Sequence, residues 1–245
     1  EITEWRQHLH RNPELMYEVH KTAAFVAEKL RAFGCDEVVE GIGRTGVVGV
    51  IHGKSKGSGR VVGLRADMDA LPIHEETGLE YASQIEGSMH ACGHDGHTSM
   101  LLGAAKYMAE TRNFDGSVVL IFQPAEEGGA GAKAMIDDGL MDRFGVQEVY
   151  GLHNEPGIPV GTMVTCPGPL LASSDTFEIK VTGVGGHAAE PHRTVDTTLV
   201  AAQIVVSLHS IVSRNIDPLR SVVLTVGTFS TDSGASNVIA HTAVM

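Results

Sequence analysis

Cysteine and histidine side chains are concentrated in one short stretch of this sequence. Residues 89–97 read Met-His-Ala-Cys-Gly-His-Asp-Gly-His, in which Cys92 and His94 lie two positions apart. Side chains at this spacing can reach a single ion or a close pair of ions, and Gly93 and Gly96 let the backbone fold tightly around them. Because thiolate and imidazole groups bind first-row transition metals, typically zinc, the stretch predicts a metal site.

The same stretch leads into a predicted helix that begins near Thr98. A helix N-terminus favours anions, so we expect the Cys92 thiol to ionise more easily there. The sequence leaves the roles of two neighbouring histidines undecided. His90 could orient a ligand, and His97 either binds metal or only caps and packs the helix.

Three predicted strands are followed directly by acidic or imidazole side chains. These side chains are Asp67, Asp69, Glu126, Glu127 and His153. In open α/β sheets, ligands bind beyond the carboxyl ends of the strands. We therefore expect the carboxylates and the imidazole to gather at one edge of one sheet, where carboxylate ligands would also admit manganese.

The adjacent residues Glu126 and Glu127 suggest two different roles, one in metal binding and one in catalysis. Neighbouring side chains in a loop can diverge, so one could bind metal while the other faces a water molecule. A carboxylate beside a metal-activated water can take its proton and later pass it to a leaving amine. The alternative is a solvated acidic turn, and the buried strand before the pair together with the other candidate ligands favours the catalytic interpretation.

The pattern of elements that would position these groups is that of an α/β protein. Apolar residues recur at steps of three and four over residues 17–34, and a second helix is expected from Thr98 to about Thr111. Short β-rich runs occupy residues 46–51, 61–65, 118–122 and 146–152. Strands that alternate with helices predict a mostly parallel sheet in a catalytic metal-binding domain over residues 1–171.

The pattern changes near Ala172. Residues 175–182 alternate with period two, a helix is predicted over residues 195–212, and β-rich runs follow at residues 222–229 and 238–245. This order predicts a smaller α+β domain over residues 172–245. The last run reaches Met245 without a stop signal, so we expect the chain to be a fragment.

Composition narrows the function classes. The 245 residues are 42 % hydrophobic and carry a formal net charge of −12, which disfavours binding to nucleic acid or anionic membranes. Three widely spaced cysteines form no disulfide framework, and no signal peptide and no apolar run of roughly 18–20 residues is visible. We expect a cytoplasmic protein.

Five motifs occur in a specific order along the chain. They are Leu-Arg-Ala-Asp-Met-Asp-Ala-Leu-Pro at 64–72, His-Ala-Cys-Gly-His-Asp-Gly-His at 90–97, Pro-Ala-Glu-Glu-Gly-Gly at 124–129, Gly-Leu-His-Asn at 151–154 and Gly-Gly-His-Ala-Ala at 185–189. In this order they resemble the successive motifs of the aminoacylase-like metallopeptidases, in the branch of hippurate hydrolases and auxin-conjugate hydrolases. The resemblance begins near Trp5 and covers essentially the whole chain.

This resemblance implies a metallopeptidase-like catalytic domain that holds two divalent ions, zinc or manganese with cobalt or nickel as alternatives. The implied metal ligands are Cys92 at the bridging position, His94, Glu127 and His153. Glu126 would be the general base. Asp67 and Asp69 fall where related branches carry a metal-binding histidine and its orienting aspartate, so both would support the ligands.

The smaller domain would be an inserted lid that also forms a homodimer interface. Its His187 would stabilise the oxyanion of an N-acyl amino acid substrate, Asn237 would help to hold the substrate carboxylate, and His192 is a further candidate for substrate binding. The sequence departs from the family at Ala240, where a proline is usual. The resemblance implies a last histidine ligand that would lie beyond Met245.

The same residues are also compatible with two other functions. A dipeptidase or carboxypeptidase would attack an amide beside a free carboxylate with the same groups, although the Cys92 motif favours the acyl-amino-acid branch. A catalytically inactive homologue that only binds a metal or ligand is a further alternative, and the intact Glu126-Glu127 pair argues against it. The number of bound metal ions distinguishes the enzyme from an inactive homologue, because the enzyme should hold two ions per subunit.

Overall fold

Two units of unequal size divide the chain in the computed structural model, which describes residues 1–245. The first unit is Glu1–Thr162 and the second is Met163–Met245. No helix or strand lies between Leu152 and Ile179, so the division after Thr162 and the predicted boundary at residue 171 fall in the same irregular segment.

The first unit contains one five-stranded sheet in the order β1-β2-β4-β3-β5. The strands are β1 (Glu37–Ile42), β2 (Gly46–His52), β3 (Val61–Asp67), β4 (Ser117–Gln123) and β5 (Glu148–Gly151). β3 pairs in parallel with β4 and β5, whereas β2 runs antiparallel to both β1 and β4. The predicted α/β class is confirmed, and the antiparallel β2 makes the sheet mixed.

Helices cover both faces of this sheet. They are α1 (Ile2–Arg11), α2 (His20–Phe33), α3 (His94–Thr111), α4 (Gly131–Asp137) and α5 (Leu140–Phe144). Alternate residues of β4 separate into two cores: Leu120 and Phe122 pack with residues of α2 and α3, whereas Val119 and Ile121 pack with Met135 and other residues of the opposite layer. A strand covered on both faces reads as a continuous apolar run, which is why β4 was visible in the sequence.

Helix α3 begins at His94, four residues before the predicted start at Thr98. Gly93 precedes it with φ 93°, in the left-handed region that favours glycine. A Cβ at Gly93 would lie 2.5 Å from Oδ1 of Asn154, so glycine is also required for space. The earlier start places His94 and His97 one helical turn apart on α3.

The second unit is built from short strands around one helix. Its elements are β6 (Lys180–Thr182), β7 (Gly186–His187), a 3₁₀ turn (Pro191–Arg193), α6 (Thr197–Asn215), β8 (Ser230–Thr231), β9 (Val238–Ile239) and β10 (Thr242–Val244). They form a sheet in the order β6-β10-β8 and a separate β7-β9 pair. Ala201, Ala243 and Met245 form the centre of a small core.

Strand predictions in this unit are only partly correct. The predicted strand at 175–182 forms a strand only over its last residues, β6, and the run at 222–229 forms no strand. Val223 in that run is 87 % exposed, and β-branched residues favour a strand only where they pack against neighbours. The run at 238–245 is split into β9 and β10, and at the break Oδ1 of Asp232 accepts the main-chain N–H groups of His241 and Thr242.

Helix α6 is long and apolar enough to cross a membrane by length and composition, in contrast to the expectation that no such run exists. In this unit it packs on strands β6 and β10 through a face that includes the fully buried Ala201. Leu199 and Val206 lie exposed on the same helix. The helix therefore acts as the cover of a small sheet and leaves apolar side chains on its surface.

Candidate metal centre

His94 lies at the centre of the predicted site and is fully buried at the start of α3. Its Nδ1 lies 2.7 Å from the main-chain oxygen of Asp69, so this nitrogen carries a proton and directs Nε2 into the site. Nε2 has no hydrogen-bond partner, although it lies 3.6 Å from Oδ2 of Asp67 and 3.8 Å from carboxylate oxygens of both Glu126 and Glu127. A cation would satisfy this buried nitrogen.

Cys92 and His153 complete one group of three possible ligands with His94. The Sγ atom of Cys92 lies 3.3 Å from Nε2 of His153. Nδ1 of His153 donates to the main-chain oxygen of Asn154 at 2.7 Å, which leaves Nε2 free to bind an ion. The side chains come from the loop before α3 and from the segment after β5, as the sequence predicted.

The prediction that the Cys92 thiol ionises easily is wrong for the metal-free protein. Burial raises the pKa of Cys92, and the charges of Glu127, Glu126 and Asp67 raise it further, to about 12. Burial and these carboxylates outweigh the effect that we expected from the helix terminus. The donor set therefore carries an excess of negative charge that a divalent cation would compensate.

Asp69 holds the backbone of the acidic pair. Its Oδ1 accepts the N–H of Glu126 at 2.9 Å and its Oδ2 accepts the N–H of Glu127 at 3.1 Å. Both carboxylates reach His94, since an oxygen of each lies 3.8 Å from its Nε2 and the three atoms lie within 4.8 Å of one another. They differ in burial: Oε1 of Glu127 is buried without a hydrogen-bond partner, whereas the Glu126 side chain is 39 % exposed. This geometry favours Glu127 as the ligand and Glu126 as the group that faces a reactant.

Asp67 and His97 form a buried pair beside His94. Nδ1 of His97 donates to Oδ1 of Asp67 at 2.7 Å, and Nε2 of His97 accepts the main-chain N–H of Asn154 at 3.0 Å. Burial raises the pKa of Asp67, but the hydrogen bond from His97 and the charges of Arg65 and His94 outweigh burial and lower the pKa to about 2. His97 thus connects the ends of β3 and β5.

Two further histidines, His90 and His10, are buried in the first unit. His90 is buried and neither ring nitrogen has a hydrogen-bond partner, so the structure shows no contact through which it orients a ligand. His10 has its Nδ1 2.8 Å from Oδ2 of Asp95 and its Nε2 3.2 Å from Oε1 of Glu75. No local signal could have revealed His10, because its partner Asp95 is 85 positions away.

In the second unit, the structure brings His187 and Asn237 onto neighbouring segments. His187 ends β7 and pairs with Val238 of β9, directly after Asn237. The main-chain oxygen of Asn237 accepts the N–H of Ala188 at 3.0 Å. Both side chains are exposed. His192 lies in the exposed 3₁₀ turn that follows β7.

Comparison with known proteins identifies related chains. The sequence is 50 % identical to a hippurate hydrolase of Campylobacter jejuni over 94 % of this chain and 59 % of that protein. It is 48 % identical to an N-acetyl-L-cysteine deacetylase of Bacillus subtilis over 98 % of this chain and 56 % of that protein. The chain therefore spans less than two thirds of the length of these relatives.

A solved structure shares the fold. The YXEP protein of Bacillus subtilis, described as a dinuclear metal-binding peptidase from the M20 family, is 33 % identical and superimposes with a TM-score of 0.72. The alignment covers 99 % of this chain and 61 % of that protein. Residues 63–236 match the model of peptidase family M20/M25/M40. This range includes every candidate ligand described above. The chain belongs to peptidase family M20/M25/M40.

Proposed function

We propose that the complete protein is a two-metal amidohydrolase that cleaves N-acyl amino acids to a free amino acid and a carboxylic acid. The observation that carries this proposal is the convergence of Nε2 of His94 and Oε1 of Glu127, both buried without partners, beside the pair Cys92 and His153. The names of the relatives, a hippurate hydrolase and an N-acetyl-L-cysteine deacetylase, support this substrate class.

The donor set fits two divalent ions. Cys92, His94, Glu127 and His153 would hold them. When bound, such ions polarise an amide carbonyl and lower the pKa of a water molecule toward about 7. Thiolate, imidazole and carboxylate donors together accept zinc or manganese, with cobalt or nickel as alternatives.

Glu126 is the proposed general base. Its side chain lies 3.8 Å from Nε2 of His94 and remains partly exposed, so it can face both the centre and a bound substrate. It takes a proton from the attacking water and gives it to the leaving amine, which departs as the free amino acid. Asp69 fixes the Glu126 main chain, so the carboxylate needs little rearrangement before the reaction.

The second unit supplies the proposed substrate contacts. His187 donates a hydrogen bond to the carbonyl oxygen as negative charge develops there, and Asn237 binds the substrate carboxylate. The exposed Leu199 and Val206 of α6 support a homodimer that forms through this unit. The free state of the three cysteines agrees with a reducing compartment, and we place the protein in the cytoplasm.

A substrate panel tests the proposal. The complete protein, freed of metal and then supplied with zinc or manganese, is assayed with hippurate, N-acetyl amino acids and dipeptides. We expect metal-dependent release of the amino acid from the acyl substrates. Preferential cleavage of dipeptides would favour a dipeptidase or carboxypeptidase, and bound metal without turnover of any substrate would indicate an inactive binding homologue.

A further inference from the structure

The segment Glu14–Tyr17, between α1 and α2, contacts two loops of the site. One follows β3 and carries Asp69, and the other follows β4 and carries Glu126. The main-chain oxygen of Glu14 accepts the N–H of Ala70, the residue after Asp69, at 2.8 Å. The main-chain oxygen of Met16 accepts the N–H of Ala125, the residue before Glu126, at 3.1 Å. The segment thereby links the loop that follows β3 to the loop that follows β4.

The loop that carries the acidic pair, residues 124–131, adopts an unfavourable backbone. Ala125 and Ala130 have φ values of 51° and 54°, and Met16 beside them has φ 51°. Residues other than glycine rarely adopt the left-handed region, and such conformations persist only where the surroundings impose them. A Cβ at Gly131 would lie 1.6 Å from the oxygen of Pro124, so the loop is folded closely on itself.

Tyr17 supplies a side-chain contact that holds this loop. Its hydroxyl donates to the main-chain oxygen of Gly129 at 2.6 Å, across 112 positions of sequence. Tyr17 is held in turn, because Thr45 donates to its main-chain oxygen at 2.9 Å and the Arg44 guanidinium lies 4.1 Å from the centre of its ring. The hydroxyl is therefore presented to the loop by a fixed, half-buried ring.

We infer that Tyr17 is a positioning residue for the general base Glu126. Asp69 holds the main-chain N–H groups of Glu126 and Glu127, and the Tyr17 hydroxyl holds Gly129, two residues further along the loop. With both ends of Glu126–Gly129 held, the main chain that carries the Glu126 carboxylate keeps its position. The inference rests on the proposed function, because it assigns the base role to Glu126.

The test is Tyr17→Phe in the complete protein, which removes only the hydroxyl. The matched control is Tyr150→Phe, because the exposed Tyr150 donates to Glu148 on β5, away from the loop. Four quantities are measured: amide hydrogen exchange of the peptide that spans residues 124–131, metal content, kcat and KM. We expect faster exchange in this peptide, unchanged metal content, a KM within about twofold, and a kcat lower by about tenfold, the equivalent of one hydrogen bond.

Three results would overturn the inference. Loop exchange equal to that of the control would show that the hydroxyl does not hold the loop. Faster exchange with an unchanged kcat would show that the loop position does not matter to Glu126. If the metal content fell in the same proportion as kcat, loss of metal would explain the lower activity. Tyr17 would then position the metal ligand Glu127 instead of Glu126. If the wild-type protein cleaves no substrate, the proposed function fails, while the exchange measurement still decides whether Tyr17 holds the loop.

Discussion

Nδ1 of His97 lies 2.7 Å from Oδ1 of Asp67, and both side chains are almost completely buried. The ring's other nitrogen accepts the main-chain N–H of Asn154, which follows the candidate ligand His153. One imidazole on α3 therefore ties together the segments that end β3 and β5. Asp67, His94 and His97 form a group that could itself hold an ion. Because both nitrogens of His97 are already engaged, we expect His97 to support the ligands rather than to bind metal.

Replacement of His97 by alanine should weaken metal binding without removing a ligand. Asp67 loses a hydrogen bond and Asn154 loses an acceptor, and loss of such outer contacts typically costs about 10–100-fold in metal affinity. Equilibrium dialysis with zinc or manganese measures this, with the exposed His20 replaced by alanine as the control. A variant that binds one ion fewer even at saturating metal would show that His97 is itself a ligand.

Replacement of Cys92 by alanine should lower both metal occupancy and proton release. The metal-free thiol has a pKa raised to about 12, so near pH 7 it enters the reaction protonated, and metal binding must expel that proton. Metal titration in weak buffer with a pH indicator should show about one proton fewer per chain in the variant. Equal proton release and equal metal content in the two proteins would rule out Cys92 as a ligand.

Asp67 should make the metal-free protein sensitive to acid. Its pKa is lowered from 3.8 to about 2 in the folded state, so as the pH falls the unfolded chain binds the proton first. The stabilisation is complete above pH 3.8 and is lost as the pH falls toward 2. Between pH 6 and pH 3 we expect a loss of about 1 kcal/mol from this group.

Urea unfolding of the metal-free protein at pH 6 and pH 3 measures that loss. Asp67→Asn should show a correspondingly smaller decrease in the free energy of unfolding, whereas Asp142→Asn, at an exposed position, should behave like the wild-type protein. The same pH dependence in all three proteins would mean that Asp67 does not contribute to acid sensitivity.

The sequence indicated where the acidic pair lies because the strand before it is buried on both faces. β4 reads as an uninterrupted apolar run, so the position of Glu126 and Glu127 just after its end followed directly. The start of α3 was placed too late, because it depends on the left-handed Gly93 and on its contact with Asn154 from a distant segment. The high pKa of Cys92 likewise arises from carboxylates that only the fold brings near.

The contacts of His10 and Tyr17 were not predictable from local patterns. Each pairs with a residue more than 80 positions away, Asp95 and Gly129 respectively. In the second unit, the run at 222–229 has strand-like composition but remains exposed and forms no strand. Composition alone could not show that burial would be missing there.

His187→Ala tests the contribution of the second unit. If His187 stabilises negative charge on the carbonyl oxygen, its loss should lower kcat by about 10²–10³-fold and leave metal content unchanged. His209→Ala, at an exposed position of α6, is a useful comparison because His209 has no proposed contact with the substrate. Wild-type kinetics for His187→Ala would reduce that residue to a structural part of β7.

The central claim is most directly tested by measuring metal content and hydrolysis of N-acyl amino acids side by side in the wild-type protein and Glu126→Gln. We predict two ions per subunit in both proteins, metal-dependent turnover in the wild type, and turnover lower by at least about 10²–10⁴-fold in the variant. Normal hydrolysis by Glu126→Gln would contradict the assignment of the base. A wild-type protein that holds two ions but releases no amino acid from any acyl substrate would contradict the proposed function itself.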